Sequence, residues 1–397
     1  MFRKLGPGVL VAAAFIGPGT VTACTLAGVG FGFSLLWAML LSIIATYILQ
    51  EMSARLGIVT QKGLADVIKQ ELHNPWVRNS VIALIFSAII IGNASYEAGN
   101  IGGATLGMHA LFGLEYSTWY PYILGAVAFT LLFFGSYKTL EKVFIFLVLI
   151  MSLSFLATAL LTGPDILQLL KGLFIPSIPE NGILTIIALV GTTVVPYNLF
   201  LHAALVSEKW KTISDLNLAK RDTLVSIILG GVVSISIMIS AAAIKTTEVD
   251  SVMDMAKALE PLYGAAALYF MGVGLFAAGI TSAITAPLAA AYVANSCFGW
   301  KATMNDNRFR SVWMIILILG VIFLSFGVKP IQVIKFAQIT NGLLLPVIAV
   351  FLLWVVNRTG VMGRHKNNKT QNLIGTLIII LSIILGVKSI LSVIGLL

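Results

Sequence analysis

Two short stretches hold the residues whose types and spacing could do chemistry. The first runs Ile16-Gly17-Pro18-Gly19-Thr20-Val21-Thr22, and the second Thr192-Thr193-Val194-Val195-Pro196-Tyr197-Asn198. Both lie in apolar runs, and both place a proline where a continuous helix would not want one. Pro18 and Pro196 each remove a backbone donor, while Gly17 and Gly19 let the chain leave helical geometry at low cost. The freed N–H and C=O groups then lie at membrane depth, where an unpaired polar group is costly. A break of this kind needs a buried cavity and a ligand to fill it. The backbone at Gly17, Gly19 and Val195, with the side chains of Thr20, Thr22, Thr192, Tyr197 and Asn198, is therefore the expected substrate site.

The surrounding sequence of 397 residues is 58% hydrophobic and only 10% charged, with a mean hydropathy of +0.99. That composition excludes an ordinary soluble domain and marks an integral membrane protein. Runs long enough to cross roughly 30 Å of hydrocarbon fall near residues 8–33, 35–56, 80–111, 119–137, 142–162, 183–206, 223–244, 263–294, 312–327, 331–356 and 373–396. The expected fold is thus all-α, with eleven transmembrane helices. Arg3, Lys4 and the residues in or beside the even-numbered connections account for 19 of the 25 lysines and arginines, which puts the N-terminus in the cytoplasm and the C-terminus outside. The setting is a multi-pass protein of a prokaryotic plasma membrane. The first run is too long for a signal-peptide core and has no clear cleavage site, so it reads as a retained helix.

The two prolines fall in the first and sixth spans, in corresponding positions five helices apart. Paired interruptions of this kind point to an inverted-repeat secondary transporter with its site near the midplane. The chain then reads as one transmembrane domain over 1–397, with repeats over about 8–162 and 183–356 and an additional helix near 373–396. A proline that merely kinks its helix is the structural alternative.

The motifs that carry a family likeness are GPGVLVAAAFIGPGTVTACTLAG at the start, LQEMSARLGIVTQKGLADVIK after the second span, GTTVVPYNLFLHAALV in the sixth and GLFAAGITSAIT in the eighth. Together they resemble the Nramp family of divalent-metal transporters. The resemblance covers nearly the whole chain and implies a LeuT-type 5+5 inverted repeat with broken helices 1 and 6. In that family the resemblance places an Asp-Pro-Gly-Asn break in helix 1 and a Met-Pro-His break in helix 6. Here the same positions read Gly17-Pro18-Gly19-Thr20 and Val195-Pro196-Tyr197, without the carboxylate, the asparagine or the thioether.

Loss of those ligands argues against a metal site of transition-metal type, since a dication in a neutral pocket lacks charge compensation. What remains are half-helix N-termini and neutral donors, which favour a small anion. Bicarbonate or a similar small anion such as nitrite or formate is the expected substrate, with bicarbonate favoured by a bicarbonate-transporting branch that the resemblance suggests. The alternative is a divergent Nramp transporter of divalent Mg or Mn, coupled to protons. Uphill anion uptake needs a cation, and sodium is the expected coupling ion; no cofactor is expected. In LeuT-type folds a sodium site joins helix 1 carbonyls to helix 8 hydroxyls, which here implies Ala13 and Ile16 with Thr281, Ser282 and Thr285. Hydroxyls on helices also bond back to their own backbone, so a structural role stays open for them.

Glu97, in NASYEAGN, is the acidic residue set well inside an apolar span, and intramembrane carboxylates are functional by default. It matches the family's acidic helix 3 pathway, with Asn93 at a second position, and His202 matches a proton-linked histidine; either residue could instead pack structurally. Gln338 matches a family glutamine that closes over the substrate. Asn341 lies one turn on, and both amides could equally glue helices together. Lys335 is expected to snorkel to the outer interface.

Other classes find little support. Neither HExxH nor GxSxG occurs, so no hydrolase is expected. A channel would not need paired breaks around an occluding site. Cys24 and Cys297 are isolated and suggest neither a disulfide framework nor a metal motif. The net charge of +9 follows the topology rather than a basic patch, so nucleic acid is not an expected partner. The expected partners are the anion and the lipid bilayer, with the chain acting as a monomer.

Overall fold

The computed structural model describes residues 16–134, 138–244, 249–300 and 302–393, and these form helices with no strand among them. In chain order the principal helices are α1 (Pro18–Phe31), α2 (Leu36–Thr60), α3 (Leu64–Glu71), α4 (Pro75–Phe112) and α5 (Tyr120–Phe134). They continue with α6 (Lys138–Leu161), α7 (Ile166–Phe174), α8 (Ile183–Thr193), α9 (Pro196–Lys209) and α10 (Leu216–Ala242). The last four are α11 (Ala267–Phe298), α12 (Asn307–Ser325), α13 (Pro330–Val356) and α14 (Lys369–Val393).

Among the described residues eight stretches are long and apolar enough to span a membrane, α8 and α9 counting as one. Tyr120–Phe134 and Ile145–Leu161 are shorter apolar helices. The first expected span begins before residue 16, outside the described residues, and its described part is α1. The expected eleven spans therefore resolve into eight of full length, two shorter helices and part of the first.

Local chemistry sets several boundaries. α4 begins at Pro75 rather than near residue 80, because Asn74 caps it: its side-chain oxygen accepts from Trp76 N at 2.9 Å and Val77 N at 3.4 Å. Proline at the first helical position loses nothing there, since that N–H has no intrahelical partner. α11 ends at Gly299, whose φ of 66° is left-handed and suits glycine.

Small residues let the helices approach closely, as membrane packing requires. A Cβ on Gly279 of α11 would lie 2.5 Å from Ala104 N of α4, and one on Gly107 would lie 2.6 Å from Gly272 O. Outward faces carry exposed apolar side chains such as Ile44, Leu153, Ile228, Ile318 and Ile380. That distribution suits contact with lipid tails.

Polar contacts group the connections into two ends. At one, Trp37 Nε1 donates to Ser177 O at 2.9 Å and Lys329 lies 3.7 Å from Asp250. At the other, Lys220 pairs with Glu51 at 3.2 Å, Arg55 donates to Asn367 Oδ1 at 2.6 Å, and Lys69 donates to Cys297 O at 3.2 Å.

Candidate functional site

At the first interruption read from the sequence the described residues show a helix beginning at Pro18, and at the second the backbone breaks between two helices. Gly17 is extended, with φ −112° and ψ −173°, and Pro18 opens α1 behind it. At the second break α8 stops at Thr193, Val195 is extended with φ −75° and ψ 120°, and Pro196 opens α9. In a continuous helix the Thr192 carbonyl would accept from residue 196, but proline has no N–H to give. The end of α8 therefore offers carbonyl oxygens where the start of α9 offers N–H groups.

Neighbouring helices are cut away to receive the breaks. A Cβ on Gly103 of α4 would overlap the Pro18 ring, and one on Gly191 of α8 would overlap the Gln338 carbonyl and lie 2.7 Å from Gly342 N of α13. Gln338 in turn covers the first break. A Cβ on Gly19 would overlap its Nε2 and lie 2.6 Å from its Cδ. The fold thus brings α1, α8 and α13 together at one place.

The side chains there are polar and sealed from solvent. Thr20 Oγ1 and Thr192 Oγ1 are 2.8 Å apart, joining the two broken segments. Thr20, Thr22, Thr192, Val195 and Asn198 are 0% exposed, and Gln338 and Asn341 are 1% exposed. Both amide atoms of Asn198, with Thr22 Oγ1, Gln338 Oε1 and Asn341 Nδ2, have no hydrogen-bond partner among the described residues. Each such group costs about 1–3 kcal/mol when left unmatched, so a ligand that engages them recovers that loss. Asn341 Oδ1 would lie 3.3 Å from a Cβ on Gly92, which places this amide against α4. Tyr197 packs edge-on against Tyr96 of α4, with ring centroids 5.6 Å apart.

The candidate coupling-ion residues separate. Ser282 faces the first break, since a Cβ on Gly17 would lie 3.0 Å from its Oγ. Ile16 is half-buried at the same bend, and Ala13 lies outside the described residues. Thr281 Oγ1 donates to Ala277 O at 2.6 Å and Thr285 Oγ1 to Thr281 O at 2.9 Å, so these two bond back to α11.

Glu97 is fully buried against Gly320 of α12, where a Cβ would lie 2.6 Å from its Cγ. Asn100 Nδ2 donates to its Oε2 at 3.3 Å, and Oε1 has no partner among the described residues. His202 Nδ1 lies 2.8 Å from Gln50 Oε1, a partner on α2, while its Nε2 has none among the described residues. Asn93 is buried on α4, and its Nδ2 likewise lacks a partner among them.

Two cavities lie elsewhere on the elements that carry the site, and neither is lined by a site residue. One of about 430 Å³ is lined by Leu26, Val29, Asn181, Thr185, Gln332 and Lys335. Another, of about 490 Å³, is lined by Gln61, Asp66, Phe200, Ser207, Glu208 and Ser296. Lys335 lines the first cavity.

Two residues escaped sequence reading. Tyr96 lies 3.9 Å, through its hydroxyl, from a Cβ position at Gly17, and Gln50 holds His202. The signal for Tyr96 was its place beside Glu97. Gln50 stands in an apolar run, where an amide needs a partner, but nothing in its spacing names that partner.

Broken helices enclosing a sealed polar site in an all-helical membrane fold define a transporter of LeuT-like architecture. A family model described as "Nramp: Natural resistance-associated macrophage protein-like" matches residues 8–392, and the chain belongs to that family. Among its relatives is the divalent metal cation transporter MntH of Caldanaerobacter subterraneus subsp. tengcongensis, 25% identical over 388 residues, covering 95% of this chain and 90% of that protein. MntH of Bacillus subtilis is 25% identical over 401 residues, covering 96% and 90% respectively. The solved Eremococcus coleocola manganese transporter superposes with a TM-score of 0.81 at 22% identity, covering 98% of this chain and 86% of that one. The nucleobase-cation-symport-1 family transporter Mhp1, in a closed conformation, gives 0.63 at 15% identity over 98% and 93%.

These relatives overturn the expected small inorganic anion, because along nearly the whole chain the likeness is to transporters of divalent metal cations. The physical reason lies at the second break. Expectation of an anion weighed the N–H groups at the start of α9, whereas the end of α8 presents carbonyls beside them, and Thr20, Asn198 and Gln338 add neutral oxygens. Bicarbonate is set aside as the substrate.

Proposed function

We propose that this protein is a secondary transporter carrying a divalent cation, Mg²⁺ or Mn²⁺, through the site between the two breaks. Its carrying observation is the sealed cluster at Thr20, Thr192, Asn198, Gln338 and Asn341, in a chain that matches the family from residue 8 to residue 392. Among the described residues no group of three or more histidine, cysteine, aspartate or glutamate side chains gathers to hold a metal. Neutral hydroxyl, amide and backbone oxygens suit a hard cation that keeps much of its water shell, with amide hydrogen-bonding groups meeting that water. Gly17, Gly19 and Val195 contribute backbone, and Tyr197 and Thr22 line the same segments.

Uptake of a dication is driven inward by a negative-inside potential, at about 2.3 kcal/mol per charge per 100 mV. Glu97 and His202 are the groups we assign to proton movement beside that path. A sodium ion at Ile16 and Ser282 is a second reading of the coupling, supported by the approach of the Ser282 hydroxyl to Gly17. We read the chain as one transmembrane unit of eleven spans, two five-helix inverted repeats and an appended last helix, in a prokaryotic plasma membrane with its N-terminus in the cytoplasm.

The test is flux into proteoliposomes that hold a divalent-cation dye. Saturable Mn²⁺ or Mg²⁺ influx, enhanced by an inward proton gradient and weakened in Thr20→Ala, is the expected outcome. Absence of saturable influx of both ions from well-folded protein overturns the proposal, and stimulation by sodium rather than by protons selects the second coupling.

A further inference from the structure

A cavity remote from the helix breaks has chemistry that transport does not use. It measures about 340 Å³ and lies where α3, the first turns of α4 and the end of α11 meet. Lys69 and Arg78 supply its cationic side, and Ile82, Phe86, Cys297 and Phe298 its apolar walls. Phe86 and Phe298 meet edge to face at 4.9 Å, and Phe298 stacks on Trp300 at the same centroid distance, so that wall is firm.

Neither cation forms an ion pair with a carboxylate among the described residues. Arg78 has no ion pair among the described residues, and its Nε is buried without a hydrogen-bond partner among them. Lys69 Nζ donates to the Cys297 carbonyl at 3.2 Å, which fixes it at the cavity rim. Asp66, one turn earlier on α3, is the nearby carboxylate whose charge Lys69 feels, and it forms no ion pair with Lys69.

Position completes the picture. At about 1.5 Å per residue, the 38 residues of α4 reach far beyond the roughly 30 Å of hydrocarbon, so its first turns stand at an interface. Trp76 there is 85% exposed, as a belt aromatic is. Leu84, further along the same helix, is 49% exposed and continues the apolar face toward the bilayer.

We propose that this cavity binds an anionic phospholipid, its phosphate held between Arg78 and Lys69 and the start of an acyl chain lying along Ile82, Phe86 and Phe298. A guanidinium gives a phosphate two parallel hydrogen bonds, and an ammonium adds a point charge. Basic pockets between helices on the face richest in lysine and arginine suit such headgroups.

The experiment uses the full chain, stripped of lipid in neutral detergent, and measures lipid retention by native mass spectrometry with thermal unfolding alongside. Phosphatidylglycerol should be retained at one molecule per chain and raise the unfolding temperature, and phosphatidylcholine should do neither. Arg78→Gln should weaken phosphatidylglycerol binding about fivefold. Because that side chain makes no hydrogen bond or ion pair with a described residue, its loss should leave the fold intact. Ala83→Trp, which fills the groove with both cations kept, should have the same effect. Equal retention of phosphatidylcholine, equal stabilisation by inorganic phosphate alone, or undiminished binding in both variants would overturn the proposal.

Discussion

Two buried polar regions of this molecule lie within a few turns of each other along α2 and α9 and are built on opposite terms. Toward the C-terminal end of α2, Arg55 and Glu51 are 5% exposed, and their groups find partners. Arg55 Nε and Nη2 donate to Glu51 at 3.1 and 3.2 Å, Nη2 also reaches Asn367 Oδ1, and Nη1 meets the His365 carbonyl. Lys220 adds a second cation to Glu51 at 3.2 Å. At the helix breaks, by contrast, Asn198, Gln338 and Asn341 are as deeply buried yet keep polar atoms without partners among the described residues. The first region ties α2 to α10 and to the α13–α14 connection. The second holds its hydrogen-bonding capacity for something other than protein. Burial alone does not distinguish a structural polar cluster from a binding one; the balance of satisfied groups does.

The largest effect should come from breaking the satisfied region. Arg55→Leu leaves Glu51 buried with Lys220 alone, and loss of one member of a buried pair costs about 3–5 kcal/mol. Chemical or thermal unfolding in detergent should show that loss, and Glu51→Leu/Arg55→Leu should recover part of it, since no charge is then stranded. A variant as stable as the parent would mean that the cluster is not holding the helices.

Gly19→Ala should be next. Its Cβ would overlap the Gln338 amide, the end of a flexible side chain, so Gln338 must swing away from the first break. We expect a stability loss of about 1–3 kcal/mol together with divalent-cation influx reduced roughly tenfold, about 1.4 kcal/mol. Normal influx would show that Gln338 does not close the site. Asn198→Leu sharpens the contrast further. It exchanges an amide without partners for an apolar group of similar size, so stability should change by no more than about 1 kcal/mol while influx falls. Destabilisation comparable to that of Arg55→Leu would place Asn198 among the structural polar groups.

Sequence alone made one of these regions visible. Pro196 marks where a helix cannot continue, and the backbone breaks there; Pro18, with Gly17 and Gly19 beside it, marks where α1 begins; the apolar runs mark most spans to within a few residues. The start of α4 shifted because Asn74-Pro75 is a capping pair, a local signal that hydropathy overlooks. Contacts between distant positions were not legible. Nothing near Gly19 announces Gln338, and nothing near Arg55 announces Asn367, because both pairings depend on how whole helices lie together. Nor could spacing separate Ser282, which faces Gly17, from Thr281 and Thr285, which bond back to their own helix. Substrate charge was misjudged for a related reason: a broken helix has a positive end and a negative end, and only three-dimensional placement says which groups line the cavity.

The smallest expected effect concerns a carboxylate that belongs to neither extreme. Asp66 lines the cavity beside α3, and burial raises its pKa above the ordinary 3.8, with Ser296, the Gly63 backbone, Lys69 and Lys62 offsetting part of the rise. A carboxyl raised on folding holds its proton more tightly in the folded state than in the unfolded one. Stability therefore falls as pH rises from the ordinary value through the raised one, and is flat with respect to this group above and below that window. Asp66→Asn should remove this contribution: relative to the parent, the variant should gain unfolding temperature at pH 7 and show less or no gain near pH 4. An equal shift at both pH values would mean that lost hydrogen bonds or packing, and not the buried charge, govern the position. A loss at pH 7 would mean that Lys69, Lys62 and Ser296 outweigh desolvation, and Asp66 would then join the satisfied cluster at Arg55 rather than stand between the two regions.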